Sequence, residues 1–482
     1  MKKLHRICSI ALSLLLLLSA AGCGQSKKSA LDPKNPVTID LWHYYNGDQQ
    51  AVFDQLVSEF NETAGKEQGI VVESVAQGSV ADLEAKVLAS IEGQVGASEL
   101  PDIFAAYTTT AYSADTQGLV VDLRGYLTEE EIDSYVEGYI KEGDFSGSGE
   151  IKIFPIAKST EILALNQTDW DIFAAATGAA IEDLSTLEGL TETAQRYYEW
   201  TDAQTPDVSG DGRAFFGRDS MANYLLIAGM QLGVEIFSAK DSKLVLNFDE
   251  AALRQLWDYY YIPFVKGYFA SKGHFRSDDL KTGAILCYAG SSAGAPYFPN
   301  EIIISDTESY PVEISVLPAP QFKDGAAYAV QQGAGMVVTK GTEAEVQASV
   351  EFLKWFTDAE RNVQFAVQSG YLPVKKAANE AGVIFNSGYE PMENVKKSLT
   401  AAIDTVNHSY MYTAPAFENG TDARNTLEAC LSNQAVADRL VVEERLLSGM
   451  SLEEASEEFC TDAHFQAWYA ATLAALQKWE SS

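Results

Sequence analysis

The chain has 482 residues, too many for one hydrophobic core, so two or three domains or lobes are expected. With 46% hydrophobic residues it has the make-up of an ordinary globular protein, and its formal net charge of −34 argues against nucleic acid or an anionic membrane as a partner of the surface at large. That charge says little about a small ligand, because a cleft carries its own local field.

At the N-terminus Lys2, Lys3 and Arg6 precede an apolar run over residues 7–18 that is too short to span a bilayer and ends in Ser19-Ala20-Ala21-Gly22-Cys23. Residues 1–22 read as a secretory signal peptide with small residues before a cysteine. The pattern resembles the bacterial lipoprotein signal, which implies that Cys23 becomes the lipidated first residue; Ala20 stands where leucine is commonest. Residues 24–36 (GQSKKSALDPKNP) are polar and proline-containing, so residues 23–36 read as a lipidated cysteine and a flexible tether. The expectation is an exported protein, lipid-anchored to the outer face of the bacterial cytoplasmic membrane, with no spanning helix in its mature form. Cys287, Cys430 and Cys460 make no disulfide framework and no CxxC metal pair, and Cys287, within an apolar run, reads as a small core residue.

From Val37 onward strand and helix patterns alternate. Residues 37–42 predict a strand, followed by a loop (HYYNG) with Asp48 placed to cap a helix whose apolar face is Phe53, Leu56, Val57 and Phe60. Residues 70–75 predict a second strand, and Ser79 with Asp82 opens a helix carrying Val80, Leu83, Val87 and Ile91. Residues 101–107 (PDIFAAY) predict a third strand, ending in a threonine-rich turn at 108–110. Such repeats imply a doubly wound, mostly parallel sheet, with ligands beyond the carboxyl ends of its strands at 42–47, 77–79 and 107–110.

Residues 151–166 (IKIFPIAKSTEILALN) form a corner. Ile151, Ile153, Phe154 and Ile156 have the bias of a strand, and Pro155 places it on an edge or ends it. Lys158, Ser159, Thr160 and Glu161 then separate it from a second apolar run at Ile162, Leu163 and Leu165. This is either a hairpin or a crossover between lobes that exposes those four residues to a cleft. A mostly helical region follows over 168–281, then a strand at 283–290, the small-residue turn Ser291-Ser292-Ala293-Gly294 and a strand at 312–317. Gln331-Gln332-Gly333-Ala334-Gly335 leads into Met336-Val337-Val338. A helix with Val346, Val350, Leu353 and Phe356 comes next, then one that Gly370 closes, and Tyr371-Leu372-Pro373-Val374 exits toward a largely helical remainder.

Gly290-Ser291-Ser292-Ala293-Gly294 matches the nucleophile elbow of α/β-hydrolases, so a serine hydrolase using Ser292, with His408 or His464 downstream, is the rival class. The same small residues, where a strand feeds a helix, also suit an anion or hydroxyl site. Asp207, Ser209 and Asp211, with Gly212, look like half a calcium loop, but Arg218 stands where the closing glutamate belongs, so a polar turn is the better reading. No other cluster has metal-ligand spacing, and no cofactor is expected. Trp42, Tyr44, Tyr45, Tyr107 and Tyr371 fall at predicted loop ends and are candidates to stack on a ligand.

Taken together, residues 39–47 (IDLWHYYNG), 101–107 (PDIFAAY), 154–166 (FPIAKSTEILALN), 283–294, 317–320, 333–340, 350–356 and 369–374 (SGYLPV) resemble, in order, the family 1 extracellular solute-binding proteins of ABC importers. The resemblance implies a two-lobed α/β fold of the type II periplasmic-binding-protein kind. It makes the FPI segment the first crossover, with residues 37–156 plus 332–385 in lobe 1 and 157–331 plus 386–482 in lobe 2. It implies a monomer without catalytic turnover that delivers a sugar or phosphorylated polyol to permease subunits, with hinges at 154–157, 318–333 and around Tyr371. The likeness is closer on the glycerol-3-phosphate side, where Ser159, Ser291-Ser292, Gly333, Tyr371 and Arg424 have counterparts and all but Ser291 fall where phosphate is held. Hydroxyls, a backbone N–H and a guanidinium suit a tetrahedral anion. Thr108 departs from an expected acidic residue and Val80 from an expected aromatic, and tyrosines and tryptophan at the lobe 1 loops favour a neutral oligosaccharide instead. The bland alternative for Arg424 is an ion pair with Glu428 on its own helix.

Overall fold

The computed structural model describes residues 29–208 and 210–480; residues 1–22, expected to be a signal peptide, Cys23, the start of the expected tether and Ser209 lie outside these residues. The described end of the segment expected to be a tether makes contacts with the first core. Leu31 packs against the first core, the Ala30 N–H donates to Gln347 Oε1 at 2.9 Å, and Asp32 lies against Gly69.

Three parallel strands, β1 (Val37–His43), β2 (Ile70–Ala76) and β3 (Ile103–Ala106), pair in the order β2-β1-β3. In β1, Ile39, Leu41 and His43 fill the buried face of a period-two alternation. Helix Gly47–Glu62 lays Phe53, Leu56, Val57 and Phe60 on that core, with Asn46 at the N-cap and Asp48 inside the first turn rather than capping it. Ser79 caps Val80–Ile91 in a capping box with Asp82. The threonine-rich stretch after β3 is not a turn: Thr108–Thr116 is a helix with Tyr107 at its N-cap. Burial of Thr108, Thr110 and Ala111 outweighs the modest helix propensity of threonine. Helices thus begin where the parallel strands end, gathering the loops after β1, β2 and β3 along one edge of the sheet.

Residues 151–156 form no regular strand; the corner is a crossover, not a hairpin. Phe154 bridges to Met336, Lys158 to Leu372 and Ser159 to Gln332, so this crossing segment is hydrogen-bonded to two others. The strands β4 (Glu161–Asn166), β5 (Phe216–Arg218), the hairpin β6 (Phe237–Lys240) and β7 (Lys243–Leu246), and β8 (Cys287–Ser291) follow. Next come the hairpin β9 (Glu301–Ser305) and β10 (Glu308–Pro311), then β11 (Ile314–Pro318) and β12 (Tyr328–Val330). β13 (Gly335–Val338) returns to the first sheet, antiparallel to β3, and β14 (Tyr410–Tyr412) pairs with β12. The second sheet runs β11-β4-β8-β5 and is mixed rather than mostly parallel: β11–β4 and β4–β8 are antiparallel, and only β5–β8 is parallel. Its two faces serve two cores, Leu163 and Leu165 of β4 packing one way and Ile162 and Ala164 the other.

Lys158, Ser159, Thr160 and Glu161, expected to be open to a cleft, are instead only 0%, 2%, 0% and 7% exposed. Pairing with the other crossings covers them: the Ser159 N–H donates to Gln332 O at 3.0 Å and the Gln332 N–H to Ser159 O at 2.9 Å. Gly333 sits at φ +89°, and a Cβ there would stand 2.7 Å from Ala157 O, so only glycine lets these two crossings touch.

His43 is fully buried among Phe53 and Tyr45; its Nδ1 accepts from the Tyr45 N–H at 3.1 Å and its Nε2 has no partner. Burial pushes its pKa down from 6.5 to about 4, so the folded state holds it neutral. The unfolded chain binds the proton first. The stability that this neutrality represents, about 3 kcal/mol in full, is therefore present above pH 6.5 and lost as pH falls toward about 4. His43→Phe should flatten urea-unfolding stability across that window relative to wild type; an unchanged pH slope would refute the assignment.

Candidate functional site

Where the crossings meet, hydroxyl groups gather around the backbone at 332–334. The Tyr44 hydroxyl accepts from the Ala334 N–H at 3.2 Å and lies 3.4 Å from the Tyr371 hydroxyl. Burial raises the pKa of both phenols well above the ordinary tyrosine value, so both are neutral donors. Tyr107, half-buried at the end of β3, is pushed up to about 12 by burial, with the Gly333 N–H and the charge of Arg424 opposing. On the other side, the Ser291 hydroxyl donates to Ser159 Oγ at 3.2 Å. The β4–β8 ladder sets that contact by placing Ser291 opposite Glu161.

Arg424 lies half-buried on helix Gly420–Leu447. Its Nη2 donates to Asn223 Oδ1 at 2.6 Å, Asn223 Nδ2 donates to Glu161 Oε1 at 2.8 Å, and Arg218 Nη1 donates to Glu161 Oε2 at 2.7 Å. A relay from the β4 crossing thus orients the guanidinium. The pair with Glu428 does not form. Glu428 instead accepts from the Met221 and Ala222 N–H groups at 2.8 and 2.6 Å, where the negative charge suits a helix N-terminus. Across the cleft Glu84, whose carboxyl burial pushes up, is drawn down by the Thr110 hydroxyl and by the charge of Arg424.

The two sides touch at several points. Thr421 Oγ1 donates to Thr109 Oγ1 at 2.9 Å, the Tyr297 hydroxyl to Asn46 Oδ1 at 3.0 Å, and Gln49 Nε2 to Ala293 O at 2.9 Å. Beyond Tyr107 a cavity of about 560 Å³ remains between them, walled by Thr108, Glu142, Asp144 and Phe145 on one side and Glu235 and Thr413 on the other.

Several sequence candidates fall elsewhere. Tyr45 is a core residue, 1% exposed, with its ring against Phe53, Phe365 and Tyr371. Trp42 stands half-buried against the first core, on the β1 face opposite His43. Ser292 is fully buried, its hydroxyl accepting from the Thr160 N–H at 3.3 Å. His408 is held by Asp404 and His464 by Asp438, so neither imidazole serves Ser292 and the hydrolase constellation is not assembled. In the Asp207–Asp211 loop, Asp202 takes the Gly210 and Asp211 N–H groups while Asp211 takes the Thr205 hydroxyl. Among the described residues no three His, Cys, Asp or Glu side chains are placed to hold a metal. Cys287, Cys430 and Cys460 are free thiols whose pKa burial raises.

Sequence reasoning missed Glu84, Glu142 and Asn223. All three reach the site by tertiary contact.

Comparison with solved structures finds this two-lobed fold repeatedly. The cyclic α-maltosyl-1,6-maltose binding protein of Arthrobacter globiformis matches with a TM-score of 0.64 at 17% identity, over 92% of this chain and 100% of that one. UgpB of Mycobacterium tuberculosis, in complex with glycerophosphocholine, matches with a TM-score of 0.63 at 18% identity, over 92% and 99%. An ABC substrate-binding protein of Listeria monocytogenes in complex with cycloalternan matches with a TM-score of 0.64 at 13% identity, over 92% and 100%. At such identities the likeness is one of fold. No curated protein matches the chain. Among the described residues no helix is long and apolar enough to cross a membrane. The profile of the bacterial extracellular solute-binding proteins matches residues 55–388, and the chain belongs to that family.

Proposed function

We propose that this protein is the capture subunit of an ABC importer, anchored through Cys23, and that it closes two lobes around a short saccharide or similar polyol without transforming it. The lobes divide as 37–156 plus 332–385 and 157–331 plus 386–482, hinged at the crossings. One observation carries the ligand class: the hydroxyls of Tyr44, Tyr107, Tyr371, Ser159 and Ser291 gather around residues 332–334, where neutral groups exchange hydrogen bonds with neutral hydroxyls. The phosphate reading is weaker, because Arg424 is bound to Asn223 and faces Glu84, and the Ser292 hydroxyl is engaged by Thr160. Two of the structural neighbours are described with cyclic saccharides and a third with glycerophosphocholine, all rich in hydroxyl or ester oxygens.

One preparation tests the reading. Wild type should fractionate with membranes and Cys23→Ser should be released; the released form then enters a thermal-shift screen of mono- to tetrasaccharides, polyols and glycerol phosphates. Stabilisation by neutral saccharides, reduced about tenfold or less in affinity by Arg424→Ala, is the expected result. Stabilisation by phosphates alone, abolished in Arg424→Ala, would replace the polyol reading.

A further inference from the structure

Past the hydroxyl cluster, the inter-lobe cavity of about 560 Å³ has a one-sided charged lining: Glu142, Asp144 and Glu235 against Lys141. Glu142 is held by Lys158, and Lys141 is shared between Glu137 and the charge of Asp144, so the wall is left net negative by Asp144 and Glu235 together. Asp144 Oδ1 is buried without a hydrogen-bond partner. Two further side chains behind the wall are nine-tenths buried and incomplete. Gln331 is 6% exposed with neither amide atom partnered, and its Oε1 would stand 3.4 Å from a Cβ on Gly138, itself part of the wall. Tyr412 is 8% exposed with its hydroxyl unpartnered, beside the charges of Glu235 and Arg424, and its neighbour Thr413 lines the cavity. Buried polar atoms without partners are rare and need a reason. The unpartnered atoms comprise the acceptors Asp144 Oδ1 and Gln331 Oε1, the donor Gln331 Nε2 and the Tyr412 hydroxyl, which can do either; two carboxylates are near, and Phe145 adds an aromatic ring to the wall. Acceptors, negative charge and a ring together suit an ammonium group better than a neutral hydroxyl, and they repel an anion.

The geometry points to a subsite for a positively charged amine: the solute is an amino-bearing saccharide or polyol, its hydroxyls at the Tyr107–Ser159 cluster and its ammonium group between Asp144 and Glu235. This rests on the saccharide-type reading above and narrows it. Titration calorimetry on the mature protein compares glucose with glucosamine, cellobiose with the β-1,4 glucosamine disaccharide, and any further saccharide hit with its 2-amino-2-deoxy counterpart. The amine should bind about tenfold tighter than its neutral partner. The paired substitution Asp144→Asn and Glu235→Gln should bring that ratio near one. Gln331→Leu should weaken the amine form without lowering the melting point of the free protein, because it removes an unpaired buried amide. Neutral members binding as tightly as amines, or a preference that survives the paired substitution, overturns the subsite while leaving saccharide binding intact. Binding of no saccharide at all removes the broader reading and this one with it.

Discussion

Lys158→Ala is expected to destabilise the protein by about 3–5 kcal/mol, the cost of leaving a buried charge without its partner. The Lys158 side chain is 0% exposed, is paired with a Glu142 carboxylate that is itself 3% exposed, and its Nζ donates to Gly333 O at 2.7 Å. Its backbone meanwhile pairs with Leu372. One residue therefore ties the first crossing to the second through its side chain, to the third through its main chain, and to the cavity wall through Glu142. Lys158→Met combined with Glu142→Leu removes both charges and should recover most of the loss, because an apolar pair of similar volume costs far less than a broken ion pair. The double variant would still lack the tie to Gly333 O, so lobe closure on saccharide, read as compaction in solution scattering, should be weaker even where stability returns. Urea unfolding decides the first claim; a loss below 1 kcal/mol in Lys158→Ala would mean that water reaches the pair.

Glu161→Ala should cost a similar amount, about 3–5 kcal/mol, again by leaving a buried charge unpaired. Arg218, with its side chain 4% exposed, loses the carboxylate it is paired with, and Asn223 loses the acceptor that holds its amide toward Arg424. Glu161→Leu with Arg218→Met restores an uncharged interior and should regain stability. It does not restore the orientation of Asn223. If Arg424 takes part in binding as proposed, Glu161 acts as a positioning residue, and saccharide affinity in the stable double variant should remain about tenfold below wild type. Wild-type affinity in that variant would show that Arg424 needs no relay.

Elements whose cause is local were legible before folding was considered. Ser79 and Asp82 lie three residues apart and cap their helix without help from elsewhere; Phe53, Leu56, Val57 and Phe60 announce a buried face by spacing alone. The loop ends bearing Tyr44 and Tyr107 followed from the alternation of strand and helix, because parallel strands present their carboxyl ends together. Even the crossing at Pro155 and Gly333 left a trace, since both residue types mark unusual backbone.

Tertiary structure decided the rest. A strand's own pattern reports which face is buried but not the direction of its neighbour, so the antiparallel pairing of β4 with β8 and β11 had no local signature. Tyr45 and Tyr44 are adjacent and chemically identical, yet one is enclosed by Phe53 and Phe365 while the other reaches Ala334. Glu428 looked like a partner for Arg424 at helical spacing, and lost that role to the backbone N–H groups at Met221 and Ala222. The Glu142–Lys158 pair, the Glu161–Asn223–Arg424 relay and the backbone contact of Gln331 with Tyr412 all join residues apart in the chain. Their energies depend on distance and on exclusion of water, and both come into being only when the chain closes on itself.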